Sequence, residues 1–228
     1  DVEYGTVPVL WNVSLEVYEK SCVALVGKNG AGKTTLLKTI AGFLRPSKGA
    51  IEFDGKRIDD LEPWRRVEQG IVYVPEGRGV FTKMTVEENL LMGCYLKQNR
   101  KDVNVRLEEV YNLFPRLKER RKQEAGTLSG GEQQMLAIAR GLMAKPKLLM
   151  LDEVTLGLAP IAKEQVYKKI EEIKELGVTI LMVDESIKKS FEISDYIYVL
   201  ESGRITLSGR TKDVVKDRER LVKSYFGI

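Results

Sequence analysis

One glycine-rich segment, flanked by a predicted strand and a predicted helix, constrains this chain most strongly. Residues 27–34 read Gly-Lys-Asn-Gly-Ala-Gly-Lys-Thr and fit the pattern G-x-x-x-x-G-K-[ST]. The apolar run Val23 to Val26 before it predicts a strand, and the proline-free run Thr34 to Leu44 after it predicts a helix. A strand, a glycine loop and a helix in this order form a phosphate-binding unit, so we predict an α/β fold.

The residues of this loop suit the binding of nucleotide phosphates. Glycines let backbone N–H groups converge on phosphate oxygens at the positive end of the following helix. Lys33 would neutralise the outer phosphates and Thr34 would ligate magnesium, and we expect the Lys33 ammonium to be exposed and to contribute little to packing. The alternative, an ordinary glycine-rich turn, does not explain the Gly-Lys-Thr ending after a strand. The predicted nucleotide-binding residues are Gly27, Lys28, Asn29, Gly30, Ala31, Gly32, Lys33, Thr34 and Thr35.

A second segment ends in two acidic residues. Leu148 to Leu151 form an apolar run typical of a buried strand, and Asp152 and Glu153 follow directly. The carboxyl ends of parallel strands meet at the sheet edge where the phosphates bind. We predict that Asp152 holds magnesium through water and that Glu153 polarises the attacking water. Many strands end in acids, and it is the pairing with the glycine loop that favours this interpretation.

A second predicted helix start also suits an anion. Residues 128–134 read Leu-Ser-Gly-Gly-Glu-Gln-Gln, and Ser129 with the two glycines would present free N–H groups. The two helix starts need not bind the same nucleotide within one chain. The pattern is therefore compatible with a head-to-tail dimer in which each of two sites is shared between the chains. The alternative is an ordinary capped helix. The predicted residues of this second site are Leu128, Ser129, Gly130, Gly131, Glu132 and Gln133.

The remaining pattern predicts a helical insert between two groups of strands. The predicted strands before the insert are Ser14 to Val17, Ser21 to Val26 and Ala50 to Phe53, and those after it are Leu148 to Leu151, Thr179 to Val183, Tyr196 to Leu200 and Arg204 to Ser208. The predicted helices are Val86 to Lys97, capped by Thr85, then Val105 to Gln123, Ser129 to Ala144, Ile161 to Leu176 and Ile187 to Glu192. We expect one domain of residues 1–228, with a core lobe of residues 1–75 and 146–228 and a helical lobe of residues 76–145.

Bulk composition is that of an ordinary globular domain. Of 228 residues, 43% are hydrophobic and 31% charged, and no run approaches the roughly 18 apolar residues of a membrane span. With no signal pattern either, we expect a cytoplasmic protein in which Cys22 and Cys94 are buried thiols. The net charge of +4 is spread along the chain, which favours a solvated surface over nucleic-acid binding. Because the chain opens at Asp1 and not at methionine, we expect an N-terminal piece to precede it.

In order and spacing, the glycine loop, the Leu128–Gln134 signature and the strand ending at Glu153 resemble ABC ATPases. The resemblance implies an α/β P-loop NTPase (RecA-like) core with an antiparallel β-subdomain and an inserted helical subdomain. It implies that ATP, with Mg²⁺, lies between the glycine loop of one chain and the signature of a second ABC ATPase, identical or different. It also implies an integral membrane permease as partner, an upstream solute-binding protein as an indirect one, and a cytoplasmic location on the inner face of the cell membrane.

The resemblance narrows to the LivF-like ATPases of branched-chain amino acid importers. It rests on Val74-Pro75-Glu76-Gly77-Arg78, on residues 84–90 (Met-Thr-Val-Glu-Glu-Asn-Leu) and on residues 157–160 (Gly-Leu-Ala-Pro). These traits could be shared by urea or other amide importers. A soluble ABC ATPase acting on DNA or ribosomes, and a regulatory protein without hydrolysis, are further alternatives.

The same resemblance assigns roles to three single residues. Tyr4 takes the position of a ring that stacks on adenine, the alternative being simple packing against the sheet. Glu76 replaces a glutamine that links magnesium to the membrane-domain contact, so it is a candidate magnesium ligand, the alternative being a solvated loop acid. Glu185 occupies the position of the switch histidine, as a third candidate catalytic residue with Lys33 and Glu153, although an acid there would repel the γ-phosphate. These departures, with Val154-Thr155 in place of Pro-Ser and Ser21 in place of glycine, put efficient hydrolysis in doubt but not ATP binding.

Overall fold

The computed structural model describes residues 1–95, 102–184 and 186–216. Its centre is a six-stranded sheet with the strand order β10-β9-β3-β8-β7-β6. Neighbours from β6 to β9 are parallel, and β10 returns antiparallel to β9. The strands are β1 (Val2–Tyr4), β2 (Val7–Leu10), β3 (Cys22–Val26), β4 (Glu52–Phe53), β5 (Lys56–Arg57), β6 (Ile71–Val74), β7 (Leu148–Asp152), β8 (Thr179–Val183), β9 (Tyr196–Glu201) and β10 (Arg204–Arg210). The predicted α/β class is therefore correct.

Helices cover both faces of this sheet, as the sequence of its strands requires. Every residue of β3, β7 and β8 is buried, which is the pattern of strands covered on two sides. The helices are α1 (Lys33–Ala41), α2 (Pro63–Gln69), α3 (Val86–Met92), α4 (Val103–Leu113), α5 (Pro115–Glu119), α6 (Gly130–Leu142), α7 (Pro160–Glu175), α8 (Ile187–Ile193) and α9 (Thr211–Val214). Consequently the core divides into two apolar clusters, one including α1 and the other α6 and α7.

The helices between β6 and β7 pack mainly on one another. Helix α3 contacts α4 and α6, and α5 contacts α4 and α6. Capping boxes set the starts of α3, at Thr85 and Glu88, and of α6, at Ser129 and Glu132. Helix α6 also packs on β6 and α7, so it joins these helices to the central sheet.

Several predicted elements were wrong in extent. The helix predicted at Thr34 to Leu44 ends at Ala41, and the strand predicted at Ala50 to Phe53 covers only Glu52–Phe53.

The predicted helix Val105 to Gln123 is two helices, since Pro115 lacks an N–H and disfavours helical angles at Phe114, which has φ −124° and ψ 69°. Helix α3 ends at Met92, with Gly93 as its cap, and Lys97 lies outside the described residues.

One predicted strand was wrong altogether. Residues 14–17 contain no assigned strand in the structure. The N–H of Glu16 donates instead to the Tyr198 hydroxyl at 2.9 Å, so a side chain takes up the hydrogen bond that a strand would give to a neighbour. Outside the central sheet, the described antiparallel pairs are the hairpins β1–β2 and β4–β5.

A buried arginine fixes the end of α1, the helix that follows the glycine loop. Arg66 of α2 is only 1% exposed and donates to the carbonyl oxygens of Thr39 and Ile40, both at 2.8 Å. It also donates to the carbonyls of Leu61 and Asp59. Carbonyls at a helix end have no partner within the helix, and here one guanidinium satisfies two of them.

Within the described ranges, none of the helices combines the length and the apolar character that crossing a bilayer requires.

Candidate nucleotide site

Three loops begin at the same edge of the central sheet. The strand register pairs Asp152 with Val183 and Val183 with Leu25. The segments that follow β3, β7 and β8 therefore start at one level, as expected for the carboxyl ends of parallel strands. This geometry brings the glycine loop and the two acids after β7 together.

The glycine loop has a backbone path that side chains at two of its glycines would prevent. A Cβ at Gly27 would collide with the carbonyl oxygen of Leu200 in β9. Gly32, which precedes α1, has φ +104°, and a Cβ there would lie 2.7 Å from Leu10. Both positions need glycine, one for close approach and the other for its left-handed angle. The loop thus lies tightly against β2 and β9 and presents the start of α1.

The structure corrects the expectation that Lys33 is exposed. Its side chain is 4% exposed, and its Nζ donates to the carbonyls of Gly27 at 2.8 Å and Lys28 at 3.2 Å. Nζ also lies 3.2 Å from Oε1 of Glu153. The loop curls around the ammonium, so carbonyl and carboxylate oxygens surround it where water was expected. Lys33 therefore supports the local structure as well as placing a positive charge at the loop.

Asp152 joins the loop to two strands of the sheet. It is 0% exposed; Oδ1 accepts from the Thr34 hydroxyl at 3.0 Å and Oδ2 accepts from the Tyr73 hydroxyl at 2.7 Å. Burial, followed by this hydrogen bond to Asp152, raises the pKa of Tyr73. Tyr73 was not predicted to belong to the site, although the β-branched run of β6 just before Glu76 was a signal for a strand ending there.

The oxygens of Thr34 and Asp152 form a donor set that fits Mg²⁺. A hydroxyl and one carboxylate, completed by water and substrate phosphates, are typical of magnesium sites. Glu76 lies exposed in the loop after β6, and no cluster of three or more carboxylate, histidine or cysteine groups suited to a metal occurs in residues 1–95, 102–184 and 186–216. The structure joins two of the three predicted ligands, Thr34 and Asp152, by a hydrogen bond.

Glu153 stands in an unusual backbone conformation directly after β7. Its φ is +46°, a left-handed angle that costs residues with side chains about 1–2 kcal/mol. Its N–H donates to Val183 O at 2.9 Å, and its side chain is 10% exposed beside Lys33. A nearly buried carboxylate on a strained backbone, next to a cation, is typical of active sites.

The signature residues lie at the first turn of α6, but not all with free N–H groups. The Ser129 N–H donates to Glu132 Oε2 at 2.9 Å, and the Ser129 hydroxyl accepts from the Glu132 N–H. The expectation of a free Ser129 N–H was therefore wrong, because the capping box uses it. The N–H groups of Gly130 and Gly131 remain at the helix start, where the helix offers them no acceptor.

Neighbouring side chains hold this helix start in place. Arg78 donates to Gln133 Oε1 at 3.1 Å. A Cβ on Gly130 would lie only 2.8 Å from the Arg78 guanidinium. Gly131 packs so close to Ala162 of α7 that a Cβ would lie 2.8 Å from it. Leu128 is buried. The loop after β6 is thereby attached to the signature helix.

The structure describes one of the two remaining predicted site residues, Tyr4, and not the other, Glu185. Tyr4 ends β1 with 46% of its surface exposed, so its ring is accessible for stacking. Glu185 lies outside the described residues.

Comparison with known proteins identifies the family. A model of the ABC transporter family matches residues 10–156. The chain is 48% identical over 204 residues to the high-affinity branched-chain amino acid transport ATP-binding protein BraG of Pseudomonas aeruginosa, covering 90% of this chain and 87% of that protein. It is 38% identical over 226 residues to the probable branched-chain amino acid transport ATP-binding protein LivF of Archaeoglobus fulgidus, covering 99% and 95%. Among solved structures, a nucleotide-free ATP-binding cassette from an ABC transporter matches with a TM-score of 0.84 at 28% identity, over 96% of this chain and 94% of that one.

The family match spans well over half of the chain, and it includes the glycine loop, the signature and the two acids after β7. The fold and the order of these three segments agree with it. The chain belongs to the ABC transporter family, as one of its ATP-binding cassette subunits, which hydrolyse ATP.

Proposed function

We propose that this ATPase energises the import of branched-chain amino acids through a membrane permease. The observation that carries the catalytic part is the meeting of two distant segments at one edge of the sheet: Lys33 and Thr34 of the glycine loop contact Glu153 and Asp152 respectively. The substrate class is supported by the 48% identity to a protein named for branched-chain amino acid transport and by the Val74–Arg78 segment.

We assign the following roles in ATP binding to the residues of the loop. Backbone N–H groups of residues 27–35 would bind the phosphates, and Lys33 would place its charge on the outer ones. The exposed Tyr4 ring would stack on adenine. Thr34 and Asp152 would hold Mg²⁺. Glu76, in the loop after β6, would be a further ligand. When bound, Mg²⁺ neutralises charge on the phosphate oxygens.

Glu153 is the proposed general base. Its carboxylate lies at the mouth of the loop, 3.2 Å from Lys33, and would orient and deprotonate the attacking water.

A second ATPase chain, identical or different, would complete each site. Gly130 and Gly131 offer N–H groups at the start of α6, and residues 128–133 would contact an ATP held by the partner's loop. Residues 76–145 would form the helical lobe of a single domain and contact the permease together with residues 76–81. A solute-binding protein would act on the permease from the opposite side of the membrane. The chain would lie on the cytoplasmic face, and it would not bind nucleic acid.

For position 185, three explanations stay open: a protonated carboxyl, action through magnesium or water, or a weak site completed by a partner ATPase. We favour the partner. Glu185→Gln should then raise the ATPase rate of the isolated chain, because an amide donates to the γ-phosphate and removes a negative charge. Steady-state hydrolysis at saturating Mg-ATP, from pH 6 to 9, tests this. A variant slower than wild type at every pH would mean that the carboxylate assists the chemistry.

Uptake by cells tests the transport assignment. A host strain from which this coding sequence is deleted should lose uptake of radiolabelled leucine, and the wild-type chain should restore uptake where the Glu153→Gln chain does not. Uptake of radiolabelled urea serves as the control in the same strains. Normal leucine uptake with loss of urea uptake would contradict the proposal and favour an amide importer.

A further inference from the structure

Three buried polar side chains form a network behind the candidate site. Asp184, immediately after β8, is 2% exposed; its Oδ1 accepts from the Tyr167 hydroxyl at 2.8 Å and its Oδ2 from the Thr155 hydroxyl at 3.0 Å. The two hydroxyls lie 3.2 Å apart, and both residues are buried. None of the three has been given a role above.

The network ties the turn that carries Glu153 to the rest of the fold. Thr155 lies two residues after Glu153, and the turn closes with the Leu156 N–H donating to Glu153 O at 3.0 Å. The Glu153 N–H is itself bound to Val183 O at 2.9 Å. The turn is therefore fixed to the end of β8 at two points, and through Tyr167 to helix α7.

The conformation of Glu153 explains why such fixing is needed. A left-handed angle at a residue with a side chain persists only where the surroundings determine it. The bond to Val183 fixes one side of Glu153, and the Thr155 hydroxyl on Asp184 fixes the other.

Asp184 receives three hydrogen bonds on its two carboxylate oxygens. Besides the two hydroxyls, the Ser186 N–H donates to Oδ1 at 2.7 Å. Asparagine would turn one acceptor oxygen into a donating NH₂ group, so the hydroxyl opposite it would have to turn and accept, which rearranges the network. Burial raises the pKa of Asp184, and the three hydrogen bonds oppose that shift.

We propose that Asp184 is a positioning residue for Glu153, acting through Thr155 and Tyr167. This inference rests on the proposed function, in which Glu153 activates water. Loss of the network lets the Glu153 carboxylate swing away from the attack position. Displacements of about 1 Å can slow an enzyme about 100-fold, while phosphate binding by the loop after β3 continues.

Steady-state kinetics of the full-length chain with Mg-ATP test the proposal. Asp184→Asn should lower kcat about 10- to 100-fold and Tyr167→Phe about 3- to 10-fold, with KM close to wild type. Thr155→Val should slow turnover, and Thr155→Ser, which restores the hydroxyl, should recover it. Tyr111→Phe is the matched control: Tyr111 is also buried and also donates to a carboxylate, Glu87 Oε2 at 3.0 Å, in the helices away from the site.

Several results would overturn the proposal. Wild-type kcat in Asp184→Asn is one, and equal slowing by Tyr111→Phe is another, since any lost buried hydroxyl would then have the same effect. If Asp184→Asn does not fold, Tyr167→Phe decides, and a wild-type kcat in that variant overturns the proposal. A wild-type chain without ATPase activity would refute the proposed function as well, whereas unaffected variants of an active chain refute only the positioning role.

Discussion

Lys33→Ala should weaken Mg-ATP binding by about 100-fold. We propose that this cation bonds to phosphate; losing such a charged hydrogen bond costs about 3 kcal/mol, and each 1.4 kcal/mol is about tenfold in affinity. Because Lys33 is buried beside Glu153, the change also leaves a carboxylate without its cation and should lower the melting temperature. Isothermal titration calorimetry and thermal melting measure the two effects.

Two further chains make this result specific. Lys48→Ala removes an exposed lysine from the loop after α1 and should change neither quantity. The double variant Lys33→Ala with Glu153→Gln should regain melting temperature without regaining affinity, because the neutral amide needs no cation. Wild-type affinity for Mg-ATP in Lys33→Ala would contradict the phosphate-loop assignment.

Glu153→Gln should reduce turnover by about 100-fold or more while ATP binding survives. The amide keeps the size of the side chain but cannot accept the proton of the attacking water, and general-base catalysis contributes about 10²- to 10⁴-fold. With hydrolysis blocked, ATP should hold two chains together. Phosphate release measures turnover. Light scattering in ATP and in ADP measures the molar mass and so shows whether two chains associate.

A matched glutamate separates this effect from a change of charge alone. Glu175, at the end of α7, is exposed, and Glu175→Gln should keep wild-type turnover and stay monomeric in ATP. Retained turnover in Glu153→Gln would mean that another group is the base. A monomer in ATP would argue against a site shared by two copies of this chain.

The sequence predicted those parts of the site that depend on local pattern. The glycine loop, the acids after β7 and the start of α6 are each encoded by a few consecutive residues, so the elements could be placed within a residue or two at the ends that bear the site. The Phe114-Pro115 break was also encoded locally, and the single predicted helix ignored it.

Contacts between distant segments could not be predicted in this way. Lys33 is buried because Glu153, far along the chain, folds against the same loop. Tyr73 reaches Asp152 because β6 and β7 are neighbours in the sheet, and the Asp184 network joins residues from β8, α7 and the turn after β7. Nothing in the spacing of these residues along the chain reveals such pairs.

The most direct test of the central claim is the release of inorganic phosphate from Mg-ATP by the purified wild-type chain, measured beside Lys33→Ala at equal concentration. The account predicts sustained, saturable release by the wild-type chain and its near loss in the variant. Equal release by both chains, or none by the wild type, would contradict the claim that this loop binds the ATP that the chain hydrolyses.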